Sequence, residues 1–240
     1  MRNWIISLLM IGTFLLFQFA QKPAFDFMFP LFTKTGITAV NQANALTAAV
    51  LLTSAGMIIV LFLLARMNKD FWKIFDEPRA SAMNIIKWGI FGFLLAMVAQ
   101  IINNLITVQI TGEVKGSENT ALLLDHFSLS PWFALTIVIV APLTEEFVFR
   151  RAIFGELYNR VGFFIAATIS GLLFAVAHMD FTHILSYLFV AYIFAYTYVK
   201  TRSIWTPIIA HFLMNGFVVL SAYLAMKFAP DALTTISFLF

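Results

Sequence analysis

The stretch Trp132-Phe-Ala-Leu-Thr-Ile-Val-Ile-Val-Ala-Pro-Leu-Thr-Glu-Glu146 decides the fold. Apart from two threonines and a proline it is wholly apolar, until it meets Glu145 and Glu146; Phe147-Val-Phe-Arg150-Arg151 follow directly. Such a run reads as part of a membrane-crossing helix, which needs about 20 mostly apolar residues. An ionisable group inside such a helix is costly, so its presence points to a functional site. A continuous helix from Pro131 to Asn159 would measure about 42 Å at about 1.5 Å per residue. That exceeds a bilayer core of about 30 Å, and it puts Glu145 at the midpoint. Pro142 removes a backbone donor just before the glutamates and is expected to kink the helix there.

The rest of the chain agrees with a membrane setting. Of its 240 residues, 61% are hydrophobic and only 11% charged, with a mean hydropathy of +0.91. A soluble domain carries roughly 25% charged residues. Further apolar runs predict spans near 4–20, 43–65, 85–108, 131–150, 161–178, 184–199 and 204–226. The expected fold class is all-α, a polytopic membrane helix bundle of about seven spans, with eight left open. Residues 1–120 would hold N-terminal transmembrane helices and an interfacial segment, 121–226 the functional unit, and 227–240 a tail. The first span reads as uncleaved, because Gln18-Phe-Ala20 offers no small-x-small cleavage context.

Basic residues mark the cytoplasmic side of a membrane protein. With the N-terminus inside, the inner segments carry Arg2, then Arg66, Lys69, Lys73, Arg79 and Lys87, then Arg150, Arg151 and Arg160, then Lys200 and Arg202. The outer ones carry only Lys22, Lys34, Lys115 and Lys227. This predicts a multi-pass cell-membrane protein with a cytoplasmic N-terminus, its partners being the lipid bilayer and a peptide or protein substrate. The net charge of +3 reflects these loops and not nucleic-acid binding. The segment Lys69–Pro78 reads as amphipathic and interfacial, with Phe71, Trp72 and Phe75 at headgroup level, or equally as an ordinary loop with aromatic anchors. Asp125 and His126, in the longest polar outer stretch, read as solvated loop residues.

The absence of cysteine excludes disulfides, thiolate metal ligands and a cysteine nucleophile. What remains for chemistry is carboxylate and imidazole. Glu146 and Arg150 are i, i+4 in a helix, with Glu first, the better order for an ion pair. Glu145 points about 100° away and has no local cation. That leaves it suited to general acid–base work. His178 ends Phe174-Ala-Val-Ala-His178, and His211 and Asn215 form a second i, i+4 pair. His183, in the turn Asp180-Phe-Thr-His183, reads as solvated. Glu145, His178 and His211 could bind Zn²⁺ with a water in the open position, or the same groups could activate water directly. Each pattern alone also fits packing: a juxtamembrane charge cluster for the glutamates, interhelical hydrogen bonds for the rest.

In this order, Glu145-Glu-x-x-x-Arg150, Phe174-x-x-x-His178 and His211-x-x-x-Asn215 resemble the three motifs of the CPBP (Abi) membrane proteases, which include CAAX prenyl endopeptidases and bacteriocin-processing or immunity proteins. The resemblance covers about residues 121–226. It implies an intramembrane endopeptidase in which Glu145 is general base or ligand, Glu146 and Arg150 support it, His178 and His211 are base partners or ligands, and Asn215 stabilises an oxyanion. A non-enzymatic immunity or scaffold protein and a proton-coupled transporter are the competing classes. One site also requires His178 and His211 to lie at similar depth, so the Asp180–His183 turn is expected inside the protein.

Overall fold

The computed structural model describes residues 3–34, 36–112, 116–233 and 235–236. Arg2 and Lys115, used above for orientation, lie outside them, as do Thr234 and the last four residues of the tail. Among the described residues there is helix but no strand. Six stretches are long and apolar enough to cross a membrane. They comprise α1 (Asn3–Phe32), α2 (Ala39–Arg66), α3 (Ala82–Thr111), a long α5 (Pro131–Ala177), α6 (Ile184–Thr201) and α7 (Trp205–Phe228), with the short α4 (Glu118–Leu129) between α3 and α5. Side chains start them where the sequence supplies a cap. Thr38, Ser81 and Ser117 each accept from the backbone N–H three residues on, satisfying one of the donors a helix start leaves open.

The 47-residue α5 is folded on itself. Gly162 takes φ 75° and ψ 177°, which glycine adopts without a Cβ penalty. The two limbs then pack antiparallel: Ser170 Oγ donates to the Phe149 carbonyl at 2.6 Å, and Phe154 meets Phe163 nearer the turn. The predicted spans 131–150 and 161–178 are these limbs, so seven apolar limbs make the bundle. The first limb runs on to the Gly162 break rather than ending at Arg150.

Loops join at two faces. On one, Asn159 Nδ2 donates to the Ile74 carbonyl, Arg202 Nε to the Pro78 carbonyl, and Asn68 Nδ2 to Asn3 Oδ1. On the other, Ser117 Oγ donates to Asp180 Oδ2 and Thr47 Oγ1 to Ser130 Oγ.

Three local expectations need correction. In Lys69–Pro78 two of the three aromatics turn into the protein: Phe71 is fully buried under the Arg151 guanidinium, and Phe75 packs on Tyr158 and Tyr198. Buried aromatic surface is worth more against protein than half-wetted at an interface; only Trp72 keeps an exposed flank. Asp125 and His126 stand on α4, not on a loop. His126 is partly buried, within 3.1 Å of Thr47 Oγ1 and stacked edge-on against Phe133. Burial lowers its pKa. His183 is likewise buried.

Small residues let α5 and α6 approach. A Cβ on Gly171 would stand 2.7 Å from Leu188 Cδ1 and 3.0 Å from Ala191 Cβ. Gly171→Val is therefore expected to destabilise the bundle by about 1–3 kcal/mol, the usual cost of overpacking. A thermal midpoint in detergent equal to wild type would refute that.

Candidate active site

The site is built on the first limb of α5, whose backbone departs from α-helix twice. Thr136–Val140 and Glu146–Phe154 are π-helical, flanking one α-turn, Ala141–Glu145. Pro142 explains one consequence. The Ala141 N–H bonds the Thr136 carbonyl five residues back. Pro142 has no N–H to offer in its turn. The Ile137 carbonyl is thus left without a helical donor, and Asn215 Nδ2 donates to it at 2.8 Å from α7. A carbonyl partner requires the amide nitrogen at this position, which fixes the Asn215 orientation and leaves its second N–H available.

The two glutamates are separated as expected, with an addition. Glu146 is completely buried and ion-paired through Oε2 to Arg150 Nε at 3.1 Å. Its other oxygen takes a hydrogen bond from His211 Nδ1 at 2.9 Å. Arg150 is equally buried, its guanidinium carbon 4.8 Å from the Phe174 ring centre and 5.6 Å from that of Phe194. Ring faces thus complete the surroundings of the cation.

A proton on His211 Nδ1, required by the carboxylate, leaves Nε2 as an acceptor. It lies 3.8 Å from Glu145 Oε2. That oxygen is buried and has no hydrogen-bond partner. Both residues line a cavity of about 420 Å³ together with His178, Asn215 and Tyr187. His178 Nδ1 donates to the Phe174 carbonyl at 2.8 Å, so its Nε2 is also an acceptor, and its ring stacks on Tyr187 with centres 4.4 Å apart. Glu145, His178, His211 and Asn215 are therefore brought to one cavity, while Glu146 and Arg150 stand behind it.

The turn after His178 is not interior, contrary to the expectation from the sequence: Met179 is 71% and Phe181 60% exposed, and only its polar side chains turn inward. Asp180 and His183 are buried, and Asp180 accepts hydrogen bonds from Ser117, Thr182 and the His183 ring. Burial pushes its carboxyl up, but these bonds outweigh it and hold the pKa below the ordinary value. This polar cluster, rather than solvent, is what keeps His183 in place.

Sequence reasoning missed Tyr187 and Arg151. Nothing in the spacing marks Tyr187 as a platform for His178. Arg151 reads in the sequence as an inner-loop cation, yet it is 1% exposed, with its guanidinium 3.6 Å from the Phe71 ring centre. The donor set also bears on metal binding. Among the described residues, no three His, Cys, Asp or Glu side chains come together as a metal-ligand group. Glu145, His178 and His211 as arranged do not fit a zinc ion.

Fold and site define a multi-pass membrane protein with a buried carboxylate–imidazole centre. The family model for type II CAAX prenyl endopeptidase Rce1-like proteins matches residues 127–217, which contain every site residue named above. The membrane-embedded CAAX protease MroQ of Staphylococcus aureus (strain USA300) is 39% identical over 176 residues, 68% of this chain and 71% of that protein. YdiL of Bacillus subtilis (strain 168), a predicted membrane peptidase, is 37% identical over 166 residues, 69% of this chain and 67% of that protein. No solved structure gives a significant match. The chain belongs to the CPBP (CAAX protease) family of membrane proteases.

Proposed function

We propose that this protein is an intramembrane endopeptidase that hydrolyses a peptide bond of a membrane-associated peptide or prepeptide with a water activated by Glu145 and His211. The observation that carries this reading is the 3.8 Å approach of two acceptors, Glu145 Oε2 and His211 Nε2, in residues that line one cavity. Oε2 is closed off as it stands, so a water reaches the pair once the Glu145 carboxylate turns toward the cavity its side chain lines, and it then donates one O–H to each at about 2.8 Å. Glu145 takes a proton as the water oxygen adds to the scissile carbonyl carbon. The second N–H of Asn215 meets the oxyanion, as preorganised donors do in acyl transfer. Collapse breaks the C–N bond, and Glu145 returns the proton to the leaving nitrogen. His178 Nε2 accepts from the substrate amide. Glu146, held by Arg150, keeps His211 in the tautomer this needs.

The donor arrangement supports no step through a metal. Dialysis of the purified protein against EDTA is accordingly expected to leave turnover unchanged; loss of activity restored by Zn²⁺ would reinstate the metal version. The N-terminus is cytoplasmic in this reading, in a bacterial cell membrane. Comparison of membrane-fraction peptides from cells with wild type and with Glu145→Gln tests the whole proposal. An uncleaved precursor should accumulate in the variant. Identical peptide profiles from two folded proteins would turn the assignment toward an immunity or scaffold role, and a pH-gradient-dependent flux toward a transporter.

A further inference from the structure

A second cavity lies outside the candidate active site, on the flank where α1 packs against both limbs of α5. It holds about 440 Å³, within the ~300–1,000 Å³ of sites that take a small molecule. Its walls are α1 from Trp4 to Ile11, the first limb of α5 from Ala152 to Arg160, and the second limb at Ile169 and Leu173. Leu8, Ile169 and Leu173 are exposed on its rim, so the groove opens sideways, toward acyl chains rather than water.

The two ends of this groove differ. α1 and the first limb run antiparallel, and Phe14 meets Phe149. Trp4, ten residues before Phe14, is therefore level with Arg160, eleven after Phe149. Glu156 and Arg160, an i, i+4 ion pair, make this end polar, with Trp4 38% exposed. Asn3 ties it to the basic loop: its side chain donates to the Asp70 carbonyl and accepts from Asn68 Nδ2. Away from that end, Ile11, Ala152 and Leu173 leave only aliphatic surface. Trp4 to Ile11 covers about 10 Å along α1, some two-thirds of one leaflet of a hydrocarbon core about 30 Å thick. A charged mouth above an aliphatic slot fits a lipid chain below its headgroup.

The sign of the mouth selects the headgroup. Arg160 bonds Glu156, yet its side chain is 59% exposed. A guanidinium has five N–H donors, more than one carboxylate oxygen can use. The adjoining stretch 66–73 adds Arg66, Lys69 and Lys73 against Asp70 alone. Basic pockets between membrane helices suit anionic headgroups. Ser7, 3% exposed, is the one hydroxyl of the lining, and its Oγ has no hydrogen-bond partner. Buried hydroxyls are normally paired, and turned toward the groove this one would meet an ester carbonyl.

We propose that this groove binds one anionic phospholipid of the surrounding bilayer, with its phosphate at Arg160 and an acyl chain between α1 and α5. Ala152 and Ile153 of its wall belong to the π-helical segment Glu146–Phe154, so the bound chain braces the limb that carries Glu146 and Arg150. The site stands apart from the protease reading, because its test reads binding and not turnover. Wild type in detergent micelles, titrated with dioleoylphosphatidylglycerol, should gain about 3–6 °C in thermal midpoint at about ten times the half-saturating concentration. Dioleoylphosphatidylcholine should give less than half of that gain. Glu156→Gln combined with Arg160→Gln keeps the net charge and should abolish the preference between the two lipids. Ile169→Trp fills the slot and should abolish the gain itself, read against the variant's own midpoint; Leu8→Trp on the facing wall takes its place if that variant does not fold. Equal gains from both lipids in wild type, or an undiminished preference in the double variant, would overturn the headgroup assignment. A full gain in the filled variant would overturn the chain assignment. So would a full gain from soluble glycerol phosphate, which would leave an anion site without a lipid.

Discussion

Glu145→Gln is expected to slow peptide hydrolysis by about a hundred- to ten-thousand-fold, the range that general acid–base catalysis supplies, while the bundle stays folded. The separation follows from the surroundings of this side chain. Glu145 is 16% exposed at the cavity wall, and its Oε2 bonds nothing in the protein. Glutamine has the same shape, so packing against the Ala141–Glu145 turn is kept. What is lost is the ability to take a proton from the water shared with His211 Nε2. Initial rates on a cleaved membrane peptide, with the thermal midpoint of the same preparation, measure both halves. A folded variant at the wild-type rate would strip Glu145 of its role and leave His211, oriented by Glu146, as the base.

Much of the candidate site is legible in the sequence, for a physical reason. In an apolar chain, every ionisable side chain must be accounted for, so Glu145, Glu146, Arg150, His178 and His211 stand out. Their helical spacing then pairs Glu146 with Arg150 and leaves Glu145 over. Partners across helices are another matter. That Glu146 also holds His211 Nδ1, 65 residues away, is a packing fact that no local spacing carries. Asn215 is an instructive middle case. Its bond to Ile137 answers the donor missing at Pro142, a vacancy visible in the sequence once a π-turn is assumed, but the π-turn itself has no sequence mark. The same limit explains Phe71 and His183. Aromatic and polar loop residues look solvated in one dimension, and only the folded chain covers them. The N-terminal helices, which match no motif, contribute Phe14, Gln18, Gln21 and Gln100 to the cavity wall.

Arg150→Met should be the more damaging substitution for the fold. It removes the cation from a carboxylate that is 0% exposed, and breaking a buried pair from one side costs about 3–5 kcal/mol, because the remaining charge is stranded. The rings of Phe174 and Phe194, which now face the guanidinium, accept a methionine side chain well, so packing loss is a minor part of that cost. Adding Glu146→Gln removes the stranded charge. The double variant is therefore expected to regain most of the lost stability, as replacement of whole buried pairs by neutral groups often does. Activity should not return with it. A glutamine oxygen can still accept from His211 Nδ1, so the tautomer survives. But the negative charge that stabilises a protonated imidazole as Nε2 takes up hydrogen-bond density from the water is gone. Thermal midpoints and rates measured on wild type, both single variants and the double variant form one cycle. If the double variant regained rate in step with stability, Glu146 and Arg150 would be structural supports alone. If it stayed slow at near-native stability, the carboxylate behind His211 would take part in the reaction from outside the cavity.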